Sequence, residues 1–390
     1  MPSMLKVALP ALAAASTAYA ACSASATTTI QNAGDATALA SCSTFSGSIA
    51  IATGTTDDIA LNGIKKLTGN LVATENENIK RISANDLETL DGELQLDGLV
   101  RLYGVDFPKL KTVDSIKWNA LPNLQNIGFT AEVEQASKVR IENTGLRSLK
   151  GINIEEVETI FIANNAYIDE IAMQLGNVSE SLDFVNNNEN VKIELTNLIW
   201  AKNLTFRFCG SVSMPSLETC NGSLGLYNNG FEQFSAPNLT EVGEALALVA
   251  NDNLNNITFP KLEKIAGTLQ IANNTNLKEV TGFPELTRVE ASFDVSGNMS
   301  DIETPKLDFV KGTCNIQSSE NVSESCGYYK SLKEKKLIQG KLFCKGQLDD
   351  PGMEGHNPTS SNGDNKDNAA TAGAVNVALG LAALAAIMLF

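Results

Sequence analysis

The sequence predicts a mainly β chain wound as a right-handed parallel β-solenoid of leucine-rich type, with coils of about 21–24 residues and disulfide-stapled caps. Three recurring features carry that prediction. The first is a Pro-x-Leu-x-x-Val phrase. It occurs at Pro108/Leu110/Val113, Pro122/Leu124/Ile127, Pro215/Leu217/Cys220 and Pro237/Leu239/Val242, then at Pro260/Leu262/Ile265, Pro284/Leu286/Val289 and Pro305/Leu307/Val310. The last five are 22, 23, 24 and 21 residues apart. The second is a short apolar alternation at Leu224/Leu226, Leu246/Leu248, Leu269/Ile271 and Phe293/Val295, the period of a strand with one buried face. The third is an Asn five residues after that alternation begins, at Asn76, Asn165, Asn187, Asn229, Asn251, Asn274 and Asn298.

Each element has a physical role in such a coil. Leu and Val point inward and stack on the coils above and below, because one coil cannot bury its own apolar face. Proline fixes a bend and cannot donate to a ladder, so it belongs at a corner. Gly69, Gly92, Gly222, Gly243, Gly267 and Gly312 precede the strands and are expected to let the backbone turn tightly into them. Asn tolerates left-handed backbone and bonds backbone groups where coils stack.

The chain ends carry processing signals. Residues 1–20 hold one Lys, a short apolar run and the small-x-small site Ala18-Tyr19-Ala20, the pattern of a secretory signal peptide. Residues 369–390 are small and then apolar to the end, with no charge after Asp367, the pattern of a GPI-anchor signal removed on maturation. Asn368 is the expected attachment residue, with Gly363 and Asn362 as alternatives. Between them lie a repeat domain with its N-terminal cap (21–316), a C-terminal cap (317–346) and a flexible Gly/Asn/Asp/Ser-rich stalk (347–368). The two signals together place the mature chain outside a eukaryotic cell, tethered by lipid to the outer leaflet.

Net charge −16 excludes a nucleic-acid binder, which needs clustered cations. The seven cysteines suit an oxidising compartment. Cys22 with Cys42 would staple the N-terminal cap, Cys326 with Cys344 the C-terminal cap, and Cys209 with Cys220 would cross one coil. Cys314 occupies a strand slot and is left as a free core thiol. Spacing alone does not fix this connectivity.

No zinc-type spacing occurs, and the sole histidine, His356, lies in the polar tail, so neither a metal site, a cofactor nor a His-dependent nucleophile is expected. Acid-only polysaccharide chemistry stays open, with Asp57-Asp58 and Glu155-Glu156 as the adjacent pairs. Adjacent strand residues face opposite ways, which argues for solvated surface instead. Trp118 and Trp200 fit either sugar stacking or packing. The Lys-rich segment 326–346 fits a solvated cap face or a contact with anionic polymer or lipid headgroups. Sequons occur at Asn177, Asn203, Asn221, Asn238, Asn256, Asn273, Asn298 and Asn321, with Asn298 the least expected to be modified because it falls in the turn slot.

The repeated "FPKL", "APNL" and "FPEL" phrases, the strand–Asn phrases "LQIANN" and "LGLYNN", the cap "CNIQSSENVSESC" and the C-terminal signal resemble one family over nearly the whole chain. It is that of fungal GPI-anchored cell-wall organisation proteins of the extracellular-mutant/sporulation-specific type, with receptor-L-domain-like repeats. The resemblance implies a non-catalytic surface glycoprotein required for wall integrity, partnered with glucan or other wall polymers and wall proteins, at the plasma membrane or in the wall. An acid-dependent wall-polysaccharide enzyme and a receptor-like ligand-binding module are the alternatives. The stalk lacks the long Ser-rich tract of some members.

Overall fold

The computed structural model describes residues 22–352. The signal peptide, the anchor signal and Asn362, Gly363 and Asn368 lie outside the described residues. Parallel strands from successive coils form one 22-stranded sheet along the solenoid, and four short parallel sheets of two or three strands line other sides.

Register shows how the repeat becomes a core. One inward column runs Ile49, Leu71, Leu94, Ile116, Val139, Ile160, Leu182 and Leu204 through consecutive ladder partners. It continues through Leu224, Leu246, Leu269, Phe293 and Cys314. Every side chain in it is buried. Two residues on, a second column includes Trp118, Ile141, Ile162, Phe184 and Phe206. Each such side chain removed from water contributes about 1.5–3 kcal/mol. On another side, Phe259 stacks on Phe283 with centroids 5.0 Å apart.

The paired asparagines divide two tasks. The first of each pair takes left-handed backbone, as at Asn164, Asn186, Asn228 and Asn273, with φ of 52–58°. Phe208 and Ala250 hold the same corner at φ 56°. The second Asn turns inward and bridges coils. Asn251 Nδ2 donates to Leu226 O at 3.0 Å and to Asn274 Oδ1 at 3.0 Å, and Asn251 Oδ1 accepts from Asn229 N at 2.9 Å. Asn229 and Asn274 repeat the pattern, and Asn165 and Asn187 form a second run. Asn298 does not join. Its Nδ2 donates to Thr275 O, and its buried Oδ1 has no partner.

The corner glycines work by close approach rather than by turning. None of Gly69, Gly92, Gly222, Gly243, Gly267 and Gly312 has positive φ, but a Cβ on Gly243 would meet Asn221 O at 2.0 Å, and one on Gly267 would meet Glu244 O at 2.4 Å.

Disulfide Cys22–Cys42 staples the N-terminal end and Cys326–Cys344 the C-terminal end. The expected Cys209–Cys220 bridge is absent, and both are separate buried thiols. Cys209 occupies the ladder-Asn slot, where its N–H donates to Asn229 Oδ1, while Cys220 sits in the strand column between Ala201 and Val242. These slots lie at different corners of the coil. Burial pushes both thiols up to about 12 and raises that of Cys314 as well.

The N-terminal helix α1 (Ala33–Ala38) is capped by the Asn32 side chain. At the far end helix α2 (Ser323–Glu334) lays Tyr329 over Phe293, centroids 5.4 Å apart, and joins its hydroxyl to Thr304 Oγ1 at 2.9 Å. Residues 347–352, which composition assigns to the stalk, pack on the last coil. Leu348 is buried and Gly352 N donates to Gln317 Oε1 at 3.0 Å.

Replacing Asn251 by Ala strands the Asn229 amide and the Leu226 carbonyl in the core. A loss of about 2–5 kcal/mol in urea unfolding is expected. Ala250→Gly removes the cost of a Cβ in left-handed backbone and should raise stability by about 1 kcal/mol in the same assay. The buried thiols give a pH signature. Their pKa is raised in the fold above the unfolded value of about 8.5, so their contribution is full below that pH and is lost as pH rises towards 12. Urea midpoints should fall in that alkaline window, with a shallower fall in Cys220→Val.

Candidate functional site

The main sheet is closed tightly where glycine occupies the corner between its two strand halves. From Gly92 to Gly222 that corner has no glycine. Longer strands such as Thr112–Leu121, Glu156–Ala163 and Asn177–Val185 run through it instead. Their registers slip between Val113 and Ser115, Val157 and Thr159, and Val178 and Ser181. Such bulges bend a strand and re-aim the extra residue. At each slip one strand carries the extra residue, with Asp91 and Gly92 opposite Asp114, and Ser179 and Glu180 opposite Glu158 and Lys202. Asp91, Asp114, Glu158 and Ser179 line an open groove of about 980 Å³ here.

The walls of the groove are polar. Asp91, Asp114, Glu134, Glu155, Glu156 and Glu158 line it, with amides from Gln135, Asn153, Gln174 and Asn177. Lysines pair with three of these carboxylates: Lys66 with Asp91 at 2.8 Å, Lys111 with Glu134 at 3.1 Å, and Lys138 with Glu158 at 3.5 Å. Ser137 Oγ donates to Asp114 at 3.2 Å, and Asn177 Nδ2 donates to Glu156 at 3.3 Å. At one end of the groove Trp200 stands half-buried beside Asn177, its partner in the strand register.

The two sequence-identified tryptophans therefore differ. Trp118 is fully buried, tilted against Phe129 at 5.7 Å, whereas Trp200 presents its ring to the groove. The two acidic pairs differ as well. Asp57 accepts the Ala33 amide at 3.1 Å and so serves the start of α1, while both Glu155 and Glu156 line the groove. Glu156 lies in one outer column with Asn177 and Trp200. The sequence signal for the groove is the gap in corner glycines, which composition and motif reading do not reveal.

This arrangement suits binding by hydrogen bonds and ring stacking. A general acid needs a protonated carboxyl in an apolar pocket. The groove carboxylates are instead solvent-facing, and Asp91, Asp114, Glu134, Glu156 and Glu158 are matched to lysine, hydroxyl or amide donors. Asp183, whose carboxyl burial raises against hydrogen bonds from Thr205 and Ser181, lies on a neighbouring outer column and does not line the groove. Among the described residues no cluster of His, Cys, Asp or Glu is placed to hold a metal ion, and no helix is long and apolar enough to cross a membrane.

The sequons also sort by environment. Asn177 and Ser179 line the groove. Asn203 and Asn238 donate Nδ2 to the carbonyls of Glu180 and Pro215 on the preceding coils, at 3.1 and 2.9 Å. Asn221, Asn256, Asn273 and Asn321 are exposed.

Comparison with known proteins gives consistent results. The family described as Ecm33, GPI-anchored cell wall organization protein, matches residues 3–40. A cell surface GPI-anchored protein of Arthroderma benhamiae is 35% identical over 324 residues, 83% of each chain. Protein ecm33 of Aspergillus fumigatus is 41% identical over 266 residues, 67% of each chain. Sporulation-specific protein 2 of Saccharomyces cerevisiae is 32% identical over 276 residues, 68% of this chain and 54% of the yeast protein. No solved structure gives a significant match.

Proposed function

Because the chain belongs to the Ecm33 family of GPI-anchored cell wall organization proteins, we propose that it is a non-catalytic, lipid-anchored surface glycoprotein that organises the fungal wall by holding a neutral wall polysaccharide in the groove between Asp91 and Trp200. The anchor keeps it on the extracellular face of the plasma membrane or in the wall, with Asn368 the proposed attachment residue and Gly363 or Asn362 the alternatives. Glucan is the proposed wall partner.

The observation that carries the polymer contact is Trp200, an aromatic ring in an open groove whose walls are amides and carboxylates. A sugar ring presents an apolar face to such a platform and a rim of hydroxyls to polar walls. The solvated, lysine-matched carboxylates favour contact without turnover.

The test is co-sedimentation of the full protein, released from cells with its native glycans, with insoluble β-1,3-glucan, β-1,6-glucan, chitin and mannan, with released sugars assayed in parallel. Retention on a glucan, weakened about tenfold in Trp200→Ala at unchanged thermal stability, is expected; that factor corresponds to ~1.4 kcal/mol. Newly formed chain ends would overturn the non-catalytic reading, and equal retention of Trp200→Ala would remove the groove from the contact.

A further inference from the structure

The same groove contains a feature that a simple polymer cleft does not need. Asn177, Val178 and Ser179 form a complete sequon. Val178 is fully buried in the core, which turns Asn177 and Ser179 together to the outer face, and both line the groove. In the strand register Asn177 lies directly between Glu156 and Trp200. Adjacent strands are about 4.8 Å apart, so the Trp200 ring stands within one sugar's reach of the Asn177 amide. No other sequon Asn lines this groove.

We propose that Asn177 carries an N-linked glycan whose first sugars lie in the groove against Trp200, so that the protein's own glycan is the groove's resident ligand. The transfer needs a polyprenyl-diphosphate-linked oligosaccharide, the donor class of the secretory pathway. The bond from Asn177 Nδ2 to C1 of the first sugar forms as the C1–O bond to diphosphate breaks. Nδ2 gives up one proton, the polyprenyl diphosphate leaves, and nothing is oxidised or reduced.

The substituted amide keeps one N–H. That hydrogen can remain on Glu156 Oε1, which Asn177 Nδ2 reaches at 3.3 Å. The bond would set the direction in which the first sugar leaves the sheet, along the column towards Trp200. The aromatic face then covers the apolar side of that sugar, and the wall amides and carboxylates take its hydroxyls. A volume of about 980 Å³ is at the upper end of sites for compact ligands and leaves space beyond the first rings. A resident glycan would make the groove's access to wall polymer depend on how that glycan is trimmed.

The proposal rests on the secreted-glycoprotein reading above, and the experiment separates the two. The full protein from its native cells is deglycosylated in heavy-oxygen water, and each sequon peptide is weighed. Occupied Asn177 is expected, together with occupied Asn256 and Asn273. Bare Asn177 beside occupied Asn256 overturns the proposal alone, whereas eight bare sequons overturn it together with the secretory reading.

Docking is read from Trp200 in a Trp118→Phe background, where it is the sole fluorophore. Acrylamide quenching of Trp200 should rise at least twofold in Asn177→Gln. It should rise equally in Ser179→Ala, which removes the sequon while leaving Asn177 and its contact with Glu156 in place. Unchanged quenching in Ser179→Ala overturns the docking. Glucan retention, measured on the same variants, tests the polymer reading separately.

Discussion

The solenoid depends on a buried amide. Where the outer sheet ends, each coil must reverse direction inside the protein, and its backbone groups there have no strand to pair with. An orphaned buried backbone group costs about 1–3 kcal/mol, and such a reversal recurs in every coil. The ladder asparagines meet that demand by reaching across coils. Asn229, Asn251 and Asn274 each give Nδ2 to a backbone carbonyl of the preceding coil, and Asn251 and Asn274 accept the neighbouring amide on Oδ1. With the corner satisfied, the Leu, Ile and Phe columns can align without offset, and the pleat puts every second side chain in the core. Cys209 stands in this series as a thiol. It weakly contacts the Phe184 carbonyl at 3.9 Å and offers no amide oxygen to the coil before it.

The second constraint is how closely coils approach. Glycine at the strand corner lets one backbone rest on the next. Most of the middle coils lack it and are one residue shorter at that corner, and bulges on Thr89–Asp97 and Asn177–Val185 absorb the difference. The groove thus arises from the same packing rule that closes the remaining coils. Acids spread along the sequence from Asp91 to Glu158 meet in one place because successive coils stack in register and carry them on the same outer side.

Much of this was legible in the residues. The Pro-x-Leu phrase, the two-residue alternation and the Asn period specify the coil and its inward positions, because a repeat that buries the same slots must reuse the same residue types. The division of labour within "NN" was not legible, since left-handed corner and ladder amide are adjacent and chemically identical in sequence. Cys209 was misread for a related reason. Two cysteines 11 positions apart in an oxidising compartment suggest a bridge, and only the register shows that one fills an Asn slot and the other a Val slot. The distinction between Trp118 and Trp200 also follows from register. Trp118 falls on an inward strand position, while Trp200 begins its strand on the outer face. The ordered packing of Leu348 and Gly352 contradicts a composition that reads as linker, because the Leu348 amide donates to the Ser318 carbonyl and the Gly352 amide to the Gln317 side chain.

The column that holds Trp200 continues through Thr219, Glu241, Lys264, Arg288 and Phe309 before the last coil. At about 4.8 Å per strand, six steps separate the groove from the terminal strand Leu342–Lys345 by roughly 30 Å. That interval is set by backbone hydrogen bonds rather than by a linker, so it has the stiffness of a sheet. The groove therefore stands at a fixed distance from the C-terminal cap, about as long as the hydrocarbon core of a bilayer is thick. The repeat number is then a gauge length. Adding or deleting one coil would move the groove by about 4.8 Å relative to the C-terminal cap without altering either end.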